Sequence, residues 1–153
     1  HLMGRKSDPF REWPDWSESK FFSFLRSGLR AKWSRWPPKY QALSDVKRPY
    51  SGPSKKQKFE YQCAHCSGWF PQKDVSVDHI IPAGTLRSFD DLPSFCERLF
   101  VGVTKLQVLC TDCHKIKTKL EALDRKNMES NNDPTNTHNL DDLAKAGTPA
   151  RAS

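Results

Sequence analysis

"LQVLCTDCHKIKTKL" (residues 106–120) joins a short apolar run to a helical pattern through a Cys-x-x-Cys pair. The apolar run predicts a strand over residues 106–110. Thr111 and Asp112 have side chains that can cap the helix that follows. The apolar stripe of that helix consists of Cys113, Ile116, Leu120 and Leu123. The segment therefore predicts a strand that turns directly into a helix, with two thiols at the turn.

A second Cys-x-x-Cys pair, "CAHC" (63–66), lies upstream, with 43 residues between the two pairs. Each pair can form a tight knuckle, and four thiolates suit a tetrahedral structural Zn²⁺. The predicted zinc ligands are Cys63, Cys66, Cys110 and Cys113. Two alternatives remain open, namely four buried thiols that only fill the core and a redox-active pair. The gap exceeds the usual spacing of about 15–20 residues, so it must contain folded chain.

An Asp-His pair lies between the two cysteine pairs, in "VSVDHIIP" (75–82). The β-branched residues predict a strand, which Pro82 ends. Asp78 offers an oxygen ligand suited to Mg²⁺ or Mn²⁺, and a neutral His79 can take a proton from water. With His114 they could form a one-metal phosphodiesterase site. Strand alternation sends Asp78 and His79 to opposite faces, however. The alternatives are a strand-end cap for Asp78, a surface imidazole for His79, and for His114 either a helix-start residue or a neighbour of the zinc site.

Charge and composition divide the chain into three predicted segments: a basic helical arm and connector (4–60), a cysteine-containing domain (61–126) and a flexible tail (127–153). Residues 1–62 carry 14 Lys and Arg against 6 Asp and Glu, a net charge of +8 within a chain total of +7. This excess favours a polyanionic partner. A helix is predicted over residues 17–36, with Ser17 as N-cap. Its apolar stripe consists of Phe21, Phe24, Leu25, Leu29 and Trp33.

The chain contains no apolar run long enough to span a membrane and no secretory h-region, so we expect no membrane partner. Five cysteines in such a chain favour thiolates and metal over disulfides. The expected location is cytoplasmic.

The joint pattern "YQCAHC", "VDHIIPAG" and "LQVLCTDCHKIKT" resembles the HNH endonuclease family of ββα-metal nucleases, over residues 61–120. The resemblance implies an α+β fold, with a small ββα-metal core and a structural zinc knuckle preceded by the basic helical arm. "RSFDDLPSFCERLF" and "RWPPKYQAL" are similar to HNH proteins of tailed phages and prophages, often encoded beside packaging genes. The expected setting is then the cytoplasm of a bacterial host, with DNA as partner and terminase-type packaging proteins as further partners.

The resemblance implies a role for each matching residue. Asp78 and His114 become ligands of a catalytic Mg²⁺ or Mn²⁺, His79 the general base, and the four cysteines the zinc site. One position departs from the family pattern: Lys105 stands where the family has an Asn that braces the loop orienting the base. A lysine there could contact phosphate instead.

The implied activity is DNA cleavage or nicking that leaves a 3′-hydroxyl and a 5′-phosphate. The alternative is a zinc-stabilised DNA-binding packaging accessory without catalysis, and an RNA-directed nuclease has no specific feature in its favour.

Lysines on a helix often form only a solvent-exposed face, but beside a phosphate-binding site they can contact the DNA backbone. The DNA-contact candidates are Lys105, Lys115, Lys117, Arg26, Arg30, Arg35, Lys55, Lys56 and Lys58.

Overall fold

A computed structural model describes residues 9–131 of the protein, so the predicted arm residues 4–8 and tail residues 132–153 lie outside the described range. The described chain is α+β. Its helices are α1 (Glu18–Trp33), α2 (Pro37–Asp45), α3 (Leu92–Leu99) and α4 (Thr111–Asn131). Its strands are β1 (Lys47–Pro49), β2 (Phe59–Gln62), β3 (Trp69–Phe70), β4 (Val75–His79) and β5 (Leu106–Cys110).

The strands form two small antiparallel sheets. One has the order β1-β2-β3, and the other pairs β4 with β5. In the second sheet Val75 faces Cys110, Asp78 faces Gln107 and His79 faces Leu106, without a break in register. Since α4 begins at Thr111, directly after β5, the predicted strand-to-helix turn at the second cysteine pair is present.

The predicted helix over residues 17–36 is also present, as α1, and the Ser17 side chain accepts a hydrogen bond from the Lys20 amide at 3.1 Å. Its buried face matches the predicted stripe at Phe21, Leu25, Leu29 and Trp33, which pack against the core, but it contains Phe22 in place of Phe24. Phe22 is 1% exposed, whereas Phe24 is 63% exposed. A face built on positions 22, 25, 29 and 33 has helical steps of three, four and four, and Phe22 meets the ring of Phe89 at 5.0 Å between centroids.

The segment predicted as a connector contains regular structure. Pro37 and Pro38 end α1 but open α2, where the missing N–H of proline is tolerated in the first helical turn. Lys47–Pro49 then pairs with β2 as an edge strand. The apparent spacer therefore carries one helix and one strand that build onto the cysteine-containing part of the chain.

Two apolar clusters connect the N-terminal helices to the Asp-His strand. Phe22 packs with Ala83, Leu86, Phe95 and Leu99. Ala42 of α2 packs with Val77, Leu106 and Val108 of the β4-β5 sheet. The Trp33 side chain contacts both clusters. The segment predicted as an arm thus supplies part of the core under β4.

The chain divides into two compact units between Cys113 and His114. The first includes both sheets, the helices α1 to α3 and the first three residues of α4. In the second, the predicted apolar stripe of α4 is exposed, with Ile116, Leu120 and Leu123 each more than half exposed. No helix within residues 9–131 has the length and apolar character needed to cross a membrane.

Candidate functional site

The four cysteines of the two Cys-x-x-Cys pairs converge on one point. Their sulfur atoms all lie within 4.8 Å of one another, and Cys66 Sγ lies 3.9 Å from Cys110 Sγ. Four thiolates around zinc at about 2.3 Å would stand roughly 3.8 Å apart in a tetrahedron. None of the five cysteines forms a disulfide. The cluster can therefore hold a metal ion, and its donor set is compatible with structural zinc.

The first knuckle follows β2 and is closed by backbone hydrogen bonds. The amide of Cys63 donates to the Gly68 carbonyl at 2.9 Å, and the amide of Ser67 donates to the Cys63 carbonyl at 3.0 Å. Ser67 adopts a left-handed φ of 62° to close the turn. A Cβ on Gly68 would lie 2.8 Å from the Phe70 ring and 3.4 Å from Cys66 Sγ. Any larger residue there would push the Phe70 ring aside, next to the Cys66 thiol.

The second knuckle lies where β5 becomes α4. Cys110 is the last residue of β5, and its sulfur accepts the amide of Cys113 at 3.5 Å in the first helical turn. The two knuckles are tied together because the Ala64 amide donates to the Val108 carbonyl of β5 at 2.8 Å. Backbone geometry therefore brings together two pairs that are 43 residues apart in the sequence.

The thiols differ in acidity. Burial acts to raise the pKa of Cys63, but hydrogen bonds from the backbone at Cys110, Cys66 and His65 outweigh it and lower that pKa to about 6. The side-chain hydrogen bond with Cys110, together with burial and the other two thiols, raises the pKa of Cys113 to about 12. The cluster thus contains one readily formed thiolate and one thiol that keeps its proton until a cation replaces it.

Asp78 and His79 occupy the last two positions of β4, and they lie on opposite faces of the strand. Val77 and His79 are buried, while Asp78 between them is only partly buried. The pairing with β5 stays regular through His79, and the chain bends only at Ile80 and Ile81. Gln107, opposite Asp78 on β5, directs its Nε2 toward Asp78 Oδ2 at 3.5 Å. The alternation expected from the sequence therefore holds up to the strand end.

His79 is 8% exposed, and it is the one buried polar residue of the described chain. Its Nε2 lies 2.8 Å from the backbone carbonyl oxygen of Leu99, the last residue of α3. Because a carbonyl oxygen can only accept, Nε2 must carry the hydrogen, and Nδ1 is the basic nitrogen of the neutral ring. The alternative of a surface imidazole does not describe this residue. A buried, oriented imidazole with one basic nitrogen is suited to proton transfer.

Lys105, at the family's Asn position, lies beside this strand end. Its carbonyl accepts the amide of Ile80 at 3.0 Å, and its own amide donates to the Gly102 carbonyl at 3.1 Å. Its side chain is exposed. The backbone of Lys105 therefore holds Ile80, the residue after His79, while the imidazole of His79 donates to the Leu99 carbonyl. Sequence reasoning could not find the Leu99 contact, since a backbone carbonyl has no residue-type signal.

His114 is the first residue of the second unit and is partly buried. Thr118, one turn later, donates its hydroxyl to the His114 carbonyl at 2.9 Å. Lys115 is exposed, and Lys117 pairs with Glu121 one helical turn further along. Within residues 9–131 the four cysteines are the only group of three or more metal-binding side chains that converges.

The remaining basic candidates differ in exposure. Arg30 and Arg35 are exposed on or just after α1, whereas Arg26 is partly buried. The loop between β1 and β2 presents three exposed cations, namely Lys55, Lys56 and Lys58. Sequence analysis did not single out Arg48 of β1, whose guanidinium lies 3.6 Å from the centroid of the Trp69 ring and also pairs with Glu60. The sequence signal that could have identified Arg48 is the basic run "KRP" (47–49), which lies close to the other basic residues.

Comparison with protein-family models, with curated proteins and with solved structures finds no match to this chain. The family resemblance therefore depends on the residues and motifs named above.

Proposed function

We propose that the protein is a divalent-metal-dependent DNA endonuclease or nickase of the HNH type, encoded by a phage or prophage and linked to DNA packaging. The observation that carries the proposal is the buried His79 at the end of β4, whose Nε2 donates to the Leu99 carbonyl and whose ring is thereby oriented. Burying an imidazole in a small core is costly unless its polar atoms are satisfied. A role in proton transfer gives a reason for this arrangement at the end of a strand.

In the proposed reaction His79 Nδ1 takes a proton from a water molecule, and the resulting hydroxide attacks the phosphorus of the scissile phosphate. The bond between phosphorus and the 3′ oxygen then breaks, and the departing oxygen takes up a proton from water, which leaves a 3′-hydroxyl and a 5′-phosphate. The family resemblance implies that Asp78 and His114 would hold a Mg²⁺ or Mn²⁺ ion, and a carboxylate such as that of Asp78 suits these ions. When bound, that ion supplies charge neutralisation for the phosphate and the leaving oxygen.

The distribution of charge supports DNA as the substrate. The +8 charge of residues 1–62 includes exposed cations on α1 and in the loop between β1 and β2. Contacts from lysine and arginine to phosphates provide affinity without sequence preference. Low sequence specificity is therefore expected of the chain on its own.

A nicking assay with supercoiled plasmid tests the proposal. Cleavage is expected with Mg²⁺, Mn²⁺, Co²⁺ or Ni²⁺, and His79→Ala should abolish it without changing the zinc content. His65→Ala is the matched control, because that side chain is exposed and no catalytic role is assigned to it. Absence of cleavage by the wild type with all four metals would refute the proposal.

The second candidate is a zinc-stabilised DNA-binding packaging accessory without catalysis. Lys105 favours it, since an exposed lysine replaces the family's Asn beside the strand end. The regular alternation that separates Asp78 from His79 favours it as well. Under this alternative we expect the wild-type protein to bind duplex DNA with an affinity that falls steeply with salt. We also expect it to cleave no plasmid with any of the four metals.

A further inference from the structure

We propose that Trp33 positions the His79 imidazole, so that the tryptophan at the end of α1 is part of the arrangement that makes His79 an effective base. This inference rests on the proposed function for its kinetic consequence, but its structural content concerns His79 alone. Sequence analysis assigned Trp33 only to the apolar stripe of α1.

The two rings are in direct contact. Their centroids are 4.7 Å apart with a tilt of 37° between the ring planes. Aromatic rings at such separations attract each other beyond the simple burial of area. Among the ring pairs of the described residues, this is the shortest centroid separation found.

The hydrogen bond to Leu99 does not by itself orient the imidazole. It limits where Nε2 points, but a hydrogen bond tolerates a range of angles, and the second side-chain torsion of histidine is broad, without a sharp preferred value. A flat surface against the ring face limits the remaining tilt. The Leu99 carbonyl and the Trp33 indole therefore both limit the direction of the Nδ1 lone pair.

Trp33 can act as such a surface because its own position is held from several sides. Its side chain contacts both the Phe22 cluster and the Ala42 cluster. The ammonium group of Lys39 lies 5.2 Å from its ring centroid, within cation–π range. Its indole N–H is buried without a hydrogen-bond partner, so packing and not a hydrogen bond determines its placement. A small displacement of a catalytic group can cost a large factor in rate, which makes a rigid neighbour useful.

Trp36 provides the matched control. It lies three residues away, packs on Phe100 at 5.4 Å between centroids and donates its indole N–H to the Val101 carbonyl at 2.8 Å. Its ring is not paired with His79, so Trp36→Leu removes the same kind of side chain from the same region while leaving the Trp33–His79 contact in place.

The kinetic test measures nicking of supercoiled plasmid with Mn²⁺ by the full chain. We expect Trp33→Leu to lower kcat by roughly tenfold or more with the KM for DNA unchanged. Trp33→Phe, which keeps an aromatic face, should restore kcat to within about threefold of wild type. Trp36→Leu should leave kcat within about twofold. A Trp33→Leu enzyme with wild-type kcat, or a Trp33→Phe enzyme as slow as Trp33→Leu, would overturn the inference.

A second readout is independent of cleavage. Long-range nitrogen–proton NMR on the His79 ring should show one tautomer, with hydrogen on Nε2, in wild type and in Trp36→Leu. In Trp33→Leu, where the Leu99 carbonyl still accepts from Nε2, the His79 ring signals should be broadened by exchange between ring tilts, and ring signals as sharp as those of Trp36→Leu would overturn the inference. If wild type cleaves no DNA, the proposed function fails while this measurement still decides the role of Trp33. Should Trp33→Leu not fold, Trp33→Met keeps more apolar volume and carries the same two outcomes.

Discussion

Replacement of Cys110 by serine tests the metal cluster most directly. Cys110 is 5% exposed, ends β5, and brings its sulfur to 3.9 Å from that of Cys66. Serine keeps the shape of the side chain but removes one of the four thiolates. We therefore expect loss of bound zinc and unfolding of the knuckles, because binding free energy at a closed four-thiolate site is folding free energy.

The expected loss of stability is large because few buried apolar residues surround the sulfur atoms. The buried cluster at the sulfurs contains only Cys63, Leu109 and Cys110, with Phe70 and Cys113 packed against it. Full burial of Leu109 is worth about 1.5–3 kcal/mol. Structural zinc contributes roughly 10–16 kcal/mol in small zinc-folded domains, whereas whole domains are stable by about 5–15 kcal/mol. Packing at this end cannot replace the metal.

The assay combines zinc content, measured by atomic absorption, with thermal unfolding followed by circular dichroism. We expect Cys110→Ser to bind less than one zinc per chain and to lose at least about 5 kcal/mol, a fall in Tm of more than about 20 °C. Cys96→Ser is the control, since Cys96 lies on α3 outside the cluster. A Cys110→Ser protein that is folded and zinc-free, with a Tm close to that of the control, would refute the reasoning.

Three further predictions address the knuckle, the core and the thiols. Gly68→Ala should weaken zinc binding in a chelator competition, because its Cβ would lie 2.8 Å from the Phe70 ring, whereas Gly102→Ala meets nothing within 4 Å and should bind like wild type. Phe22→Ala should cost about 3–5 kcal/mol in urea denaturation, and equal losses for the 63% exposed Phe24 would contradict this. At pH 7 zinc binding should release protons, because Cys113 with a pKa of about 12 is protonated in the metal-free protein. Zinc affinity should therefore fall as the pH falls, and calorimetry in two buffers that detects no proton release would contradict this prediction.

Local patterns in the sequence predicted the parts of the fold whose causes are local. Ser17 caps α1 as predicted, because a cap needs only a hydroxyl three residues before an amide. The strand-to-helix turn at Cys110 is also present, because an apolar run followed at once by a helical pattern is a local signal as well. Pro37 and Pro38 lie between α1 and α2 and open the second helix. Their residue type does not predict this, because proline can end a helix or begin one, and only the chain that follows decides between the two.

Burial was less predictable than secondary structure. Phe22 and Phe24 are identical residues on one helix, and their exposures of 1% and 63% depend on which face meets Phe89 and Phe95. The apolar stripe of α4 is exposed although its spacing is that of a buried face. Spacing shows that a helix has an apolar face, but it does not show whether anything packs against that face.

The sequence by itself determined the four-cysteine cluster and the placement of Asp78 and His79 at a strand end, since thiols at Cys-x-x-Cys spacing and a β-branched run closed by proline are local signals. Only the tertiary structure decided what surrounds His79. The Leu99 carbonyl is 20 residues away in sequence, and the Trp33 ring belongs to a different helix. One of these contacts is made by backbone and the other by packing across two clusters. Neither depends on a motif, so both arise only when the folded chain brings α1, α3 and β4 together.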